Sequence, residues 1–239
     1  MEANIFGHVV QELAPCITGM RIEKIFSPAP QTWTFALGRP GYLILYTDRK
    51  RPFLFLSKHK PENPAQPAAY AMWLRKRLRD RRIFAVLSDW PRRRVALELS
   101  AGEGRFLLLD LREGPCLVDE LPEGFGATPW WPSVTDLGDA DLWREHPHLS
   151  PPLREALRRL SSVEAQQLLG TLAAGQAQVF YCSQSAHGDT ALLPWPGPGE
   201  QKTFASALEG AEFVYGQALG ALLRELGGVE LARSRARKR

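Results

Sequence analysis

The sequence predicts an α+β protein: an N-terminal antiparallel sheet with packed helices, followed by a mainly helical second part. Three observations carry this. Short strand-like apolar runs follow one another through the first half, divided by turn-forming sequences, the pattern of an antiparallel meander. Two stretches within that half keep helical spacing instead. Beyond residue 149 the apolar period becomes helical almost throughout.

Taken in order, "NIFGHVVQELAPC" (4–16) sets Ile5, Val9, Val10 and Leu13 at helical spacing, and Gly19 ends the helix. "RIEKIF" (21–26) and "TWTFALG" (32–38) alternate as strands, whereas "YLILYT" (42–47) and "FLFLS" (53–57) are continuously apolar, as buried strands are. "RPG" (39–41) reads as a hairpin turn, and the prolines of "KPENPAQPAA" (60–69) make an extended connector. A helix over 68–81 follows, with Ala71, Leu74 and Leu78 on one face and Arg75, Arg79 and Arg82 on the next. Four strands then come in series: "IFAVLS", "RVALELS", "RFLLLDL" and "CLVD". This gives a first domain over 1–125, a Pro/Gly/Trp-rich linker over 126–148, a helical domain over 149–230 and a basic tail over 231–239. Ser150 before Pro151 opens one helix, and Ser161 with Glu164 forms a capping box for another. "AQVFYC" (177–182) reads as a strand, 184–202 as a loop and 203–226 as a long helix.

The charge is unevenly spread. Residues 1–100 hold 17 Lys/Arg against 8 Asp/Glu, residues 101–230 hold 8 against 18, and the last nine residues add 5 basic groups. The density peaks at "MWLRKRLRDRR" (72–82) and returns at Arg92-Arg93-Arg94. Such like charge costs self-repulsion and points to a polyanion partner. The candidate polyanion-binding residues are therefore Arg75, Lys76, Arg77, Arg79, Arg82, Arg92, Arg93 and Arg94, with the two groups expected on one surface.

Other chemistry is sparse. Three distant cysteines give neither a disulfide framework nor a zinc ribbon. No phosphate-binding glycine loop, zinc-protease motif or nucleophile elbow occurs. His146 and His148 lack a third ligand nearby, Asp119, Glu120 and Glu123 read as a solvated acidic turn, and Trp130-Trp131 as a packing pair. The expectation is a binding protein with no catalytic residue, cofactor or metal. The start shows no signal-peptide pattern and no apolar run approaches the ~20 residues of a membrane span. Both point to a cytoplasmic protein.

Five collinear stretches resemble a known family. "NPAQPAAYAMWLRKRL" (63–78) is similar to the NPxxPxxxxMxLRKxL segment of the NFACT N-terminal domain. Gly19 with "RIEKIF", "LLLDLREGPCLVDE" (107–120), "LSPPLREAL" (149–157) and "KTFASALEGAEFVY" (202–215) resemble further segments of the family. This domain opens the fibronectin-binding-protein-A-like proteins and the ribosome-quality-control factors. The resemblance implies a glycosylase N-terminal-domain-like fold followed by a helix-hairpin-helix-like region. It further implies binding to tRNA and to rRNA of the large ribosomal subunit obstructed by peptidyl-tRNA, and no membrane partner. The family's Asp-Arg motif falls on Arg92-Arg93, so the acid is absent at that position and Asp89 lies three residues earlier. In the family that acid is tied to tRNA recruitment for C-terminal tailing, which the change puts in doubt here. The chain also ends where family members continue into a coiled coil and an RNA-binding domain. An adhesin binding extracellular matrix is the alternative. An enzyme acting on DNA is a remoter one, since Glu2 follows Met1 with no proline nearby.

Overall fold

The computed structural model describes residues 1–64, 67–138, 141–184, 190–197, 199 and 201–237. Helix α1 (Ala3–Ile17) comes first, capped by the Glu2 carboxylate, which accepts from the Ile5 amide at 3.0 Å. Strands β1 (Lys24–Phe26), β2 (Thr32–Ala36), β3 (Tyr42–Tyr46) and β4 (Phe53–Ser57) pair in sequence order as an antiparallel meander. Helix α2 (Ala69–Leu78) crosses to a second antiparallel meander of β5 (Ile83–Asp89), β6 (Arg94–Leu99), β7 (Phe106–Asp110) and β8 (Gly114–Val118). The first part thus holds two four-stranded sheets. They meet where Ile22 donates to the Arg81 carbonyl and Arg21 bridges Arg82.

The period-2 rule explains which residue faces where. Val95, Leu97, Leu107 and Leu109 join Phe35, Leu43, Leu45 and Leu54 in one core between the sheets, together with Phe6, Val10, Leu13 and Ile17 of α1. The opposite faces are covered too, which accounts for the continuously apolar strands. Ile44, Phe53 and Phe55 enter a second core, and Phe106 and Leu108 a small one closed by Leu121 and Phe125. Helix α2 docks on the first core through Leu74 and Leu78, with Ala71 also buried. Each leucine buried there is worth roughly 1.5–3 kcal/mol.

In the second part, α3 (Leu142–Glu145), α4 (Pro151–Arg159) and α5 (Ser162–Ala173) follow. The Ser150 cap and the Ser161/Glu164 capping box both form. Trp131, Val134, Leu137 and Leu142, from the stretch read as a linker and from α3, pack on the α4–α5 pair. Residues 149–226, expected to be mainly helical, also contain a three-stranded antiparallel sheet of β9 (Phe180–Gln184), β10 (Thr190–Leu193) and β11 (Lys202–Phe204), ordered β10-β9-β11. Its outer two strands are too short for a period to be legible. Helix α6 (Ala207–Arg237) begins four residues later than the sequence suggests and runs on through most of the basic tail. Its first amides are capped from a distance: the Glu12 carboxylate accepts from Ala207 N at 2.8 Å, Leu208 N at 3.1 Å and Ser206 Oγ at 2.6 Å. Among the described residues no helix is long and apolar enough to cross a membrane.

Candidate nucleic-acid interface

The helix carrying the first basic run stops at Leu78, three residues before the expected end. Arg79 is extended and Asp80 takes φ 63°, so the chain turns sharply into β5. Arg75, Lys76 and Arg77 occupy the last helical turn, where the unpaired carbonyls favour cations by roughly 0.3–1 kcal/mol each. That offsets part of their mutual repulsion.

The basic side chains divide by what they touch. Arg75 is inward-leaning: its Nε and Nη2 both donate to the Ile25 carbonyl, and its guanidinium lies 5.7 Å from the Phe26 ring centroid. Arg77 pairs with Glu103 at 2.6 Å. Arg81 is buried and donates to the carbonyls of Ser100, Glu103 and Gly104, which holds the β6–β7 turn. Gly102 there has φ 153°, and a Cβ at that position would sit 2.9 Å from Arg81 Nε, so glycine is needed for the arginine to enter. Lys76, Arg79 and Arg82 remain exposed. Arg79 pairs with Asp80 at 3.4 Å, both side chains largely exposed, a pair of little energetic worth. Arg21 joins them, bridging Arg82 and donating to the Asp80 carbonyl at 2.7 Å. The result is a basic strip running from Lys76 through Arg79 to a corner formed by Arg21 and Arg82. Sequence reasoning missed Arg21, because its place depends on β1 meeting the start of β5 and not on local composition. It also missed Lys60, whose Nζ lies 4.3 Å over the Phe26 ring.

The second run lies at the other end of β5. Arg82 precedes β5 and Arg92 follows it, so a seven-residue strand, about 20 Å, separates them. The reason for the arrangement at the far end is Asp89, whose carboxylate is almost wholly buried. Arg94 Nε donates to its Oδ2 at 2.9 Å with Nη2 on the same oxygen, and Arg92 Nη1 lies 3.5 Å from Oδ1. Arg93 adopts φ 56° and turns the other way, donating to the Met1 carbonyl at 3.4 Å. It lines a cleft of about 1020 Å³ with Glu2, Tyr46, Lys50 and Tyr215. Burial pulls its guanidinium below the usual arginine value, with Glu2 acting in the opposite sense. Arg92–Arg94, at the other end of β5, are organised around a buried acid and a cleft.

The histidine and tryptophan pairs also resolve. The His148 ring packs at 4.5 Å from Trp131 and 5.7 Å from Trp90, while His146 lies against the exposed Trp130. Burial, aided by His146, lowers His148 to about 4.

Residues 5–103 match the family model described as NFACT N-terminal and middle domains. Over these residues the chain is similar to an NFACT N-terminal domain. No curated protein matches it. Among solved structures, the N-terminal part of the fibronectin/fibrinogen-binding protein from Streptococcus suis is 18% identical, covers 91% of this chain and 99% of that one, and superposes with a TM-score of 0.55. The fibrinogen binding protein from Staphylococcus aureus is 12% identical, covers 87% and 96%, and gives 0.56. At these identities the likeness is one of fold. In NFACT terms, the match covers α1, both basic runs and most of the two sheets, and so includes the whole basic strip.

Proposed function

We propose that this NFACT-like chain binds RNA in the rescue of stalled ribosomes, contacting tRNA or large-subunit rRNA through the basic strip on α2, and acts without catalysing a reaction. The observation that carries this reading is the exposed row Lys76, Arg79, Arg82 and Arg21, which the fold leaves without buried acids to balance it. Contrast Arg94, which is neutralised in place. Phosphates are the natural counter-charge for such a row, and each one neutralised adds about −0.7 to −0.9 to the log–log salt slope. The test is binding to unmodified tRNA between 50 and 200 mM salt, for the native protein and for the Lys76→Ala/Arg79→Ala/Arg82→Ala variant. A slope flattened by about two in the variant is expected; an unchanged slope makes the row a solvated face. Co-sedimentation with large subunits under induced stalling tests the ribosomal half of the reading.

The names of the two structural neighbours favour a second reading, binding of fibronectin or fibrinogen. Binding to immobilised fibronectin that persists after nuclease treatment and in the triple variant would support it over the first.

A further inference from the structure

Along the flank of α2 next to the basic strip, three planar groups stand in a row. The rings of Tyr70 and Trp73 stack at 9° with centroids 5.5 Å apart, and the Arg77 guanidinium lies 4.0 Å over the Trp73 ring. The order i, i+3, i+7 is what a helix requires to place them one above the other. Both ends are pinned. Tyr70 Oη donates to the Pro115 carbonyl at 2.7 Å, and Arg77 Nε to Glu103 at 2.6 Å. Yet Tyr70 is 41% and Trp73 37% exposed, and Met72 beside them is exposed as well. Single exposed aromatics are ordinary. Trp73 has Tyr70 on one face and Arg77 on the other, so a further planar group can join only at an end of the row; with Lys76 and Arg79 exposed at the same end of α2, this is a pre-organised π surface on a cationic element.

We infer that this row is a stacking platform for an unpaired base of single-stranded RNA, with Lys76 and Arg79 meeting the adjoining phosphates. It rests on the RNA-binding reading and sharpens it: the surface selects unpaired segments over duplex. A base in a duplex has both faces covered by its neighbours and cannot add to the row, whereas a base in a loop or a free end can. Because the rings are already fixed, little side-chain freedom is lost on binding.

The experiment compares a fluorescently labelled 12-nucleotide single-stranded RNA with a 12-base-pair RNA duplex by anisotropy, using the intact chain. The native protein should prefer the single strand. Tyr70→Ala/Trp73→Ala should weaken single-strand binding roughly 5- to 100-fold, the range expected for loss of one base–aromatic stack, and leave duplex binding within about twofold. Trp73→Phe, which keeps a ring and the packing, should retain most of the affinity. Native binding to both RNAs without preference, an unchanged single-strand affinity in the double variant, or an equal loss on both RNAs overturns the platform while leaving the RNA-binding reading intact. Failure of the native protein to bind either RNA overturns both. Self-association of the native chain that the double variant abolishes, with single-strand affinity unaltered, assigns the patch to a second copy and also overturns the platform.

Discussion

The two arginine-rich runs, 75–82 and 92–94, have similar composition but are solved by the fold in opposite ways. Around Asp89 the chain supplies its own counter-charge, buries it, and wraps Arg92 and Arg94 about it. On α2 and the following turn, the inward-facing arginines are used on carbonyls and the outward-facing cations are left to solvent. A basic stretch is thus evidence for a partner only after the groups that the protein consumes have been subtracted. Of the eight residues the sequence nominates, Lys76, Arg79 and Arg82 survive that subtraction most cleanly.

The sharpest way to break the contrast is Asp89→Ala. It leaves Arg94 half-buried beside an absent acid, and should destabilise the protein by about 3–4 kcal/mol. Equilibrium denaturation checks this; a loss below 1 kcal/mol would mean that Arg94 swings to solvent at little cost. Acid should also act on this end of the molecule. His148 sits against Trp90, next to the run, and titrates near 4 in the folded chain against 6.5 as its ordinary value. Between those values the unfolded chain takes up a proton that the folded one refuses, so stability falls as pH drops from about 6.5 to 4, and this contribution is fully lost by about pH 4. The depth is on the order of 3 kcal/mol. The stability difference between native protein and His148→Phe should vary with pH across this window and level off on either side of it. A pH-independent difference would show that the ring is hydrated.

Smaller effects belong to α2. Arg75→Ala removes the donor to the Ile25 carbonyl and should cost about 1–2 kcal/mol of stability. Arg79→Ala should change stability by less than about 0.5 kcal/mol, measured by the same denaturation, while still weakening RNA binding. If Arg79 proved as costly to remove as Arg75, the distinction between consumed and free cations would fail.

What the sequence made legible follows the same division. Eight strands of the first part were visible because each is short, apolar and bounded by turn residues, and Ala71, Leu74 and Leu78 fell on the buried face because helical period alone decides it. The length of α2 was not visible. Arg79 has good helix propensity, and what ends the helix is the docking of residues 80–82 against Ile22 and Arg21, a tertiary event. Nor could Asp89 be recognised as the hub of the second run. It lies five residues from Arg94, and they meet only because a single 3₁₀ turn at Trp90–Arg92 reverses the chain and pairs Asp89 with Arg94 across β5 and β6. The site residues Arg21 and Lys60 were hidden for the same reason, since both are brought in by strand pairing and connector path.

Helix α1 gives Phe6, Val10, Leu13 and Ile17 to the core between the sheets, and Ile5 and Val9 to the core beneath α6. Glu12 on the same helix closes the start of α6, about 195 residues away in sequence. One helix is therefore a shared wall, and the two halves of the molecule do not melt as independent lodgers. Cutting the chain near residue 125 would strip the cover from Ile44, Phe53 and Phe55 and uncap nothing that the first half could restore by itself. Heat should take the molecule apart in one cooperative step, with the calorimetric and van't Hoff enthalpies equal.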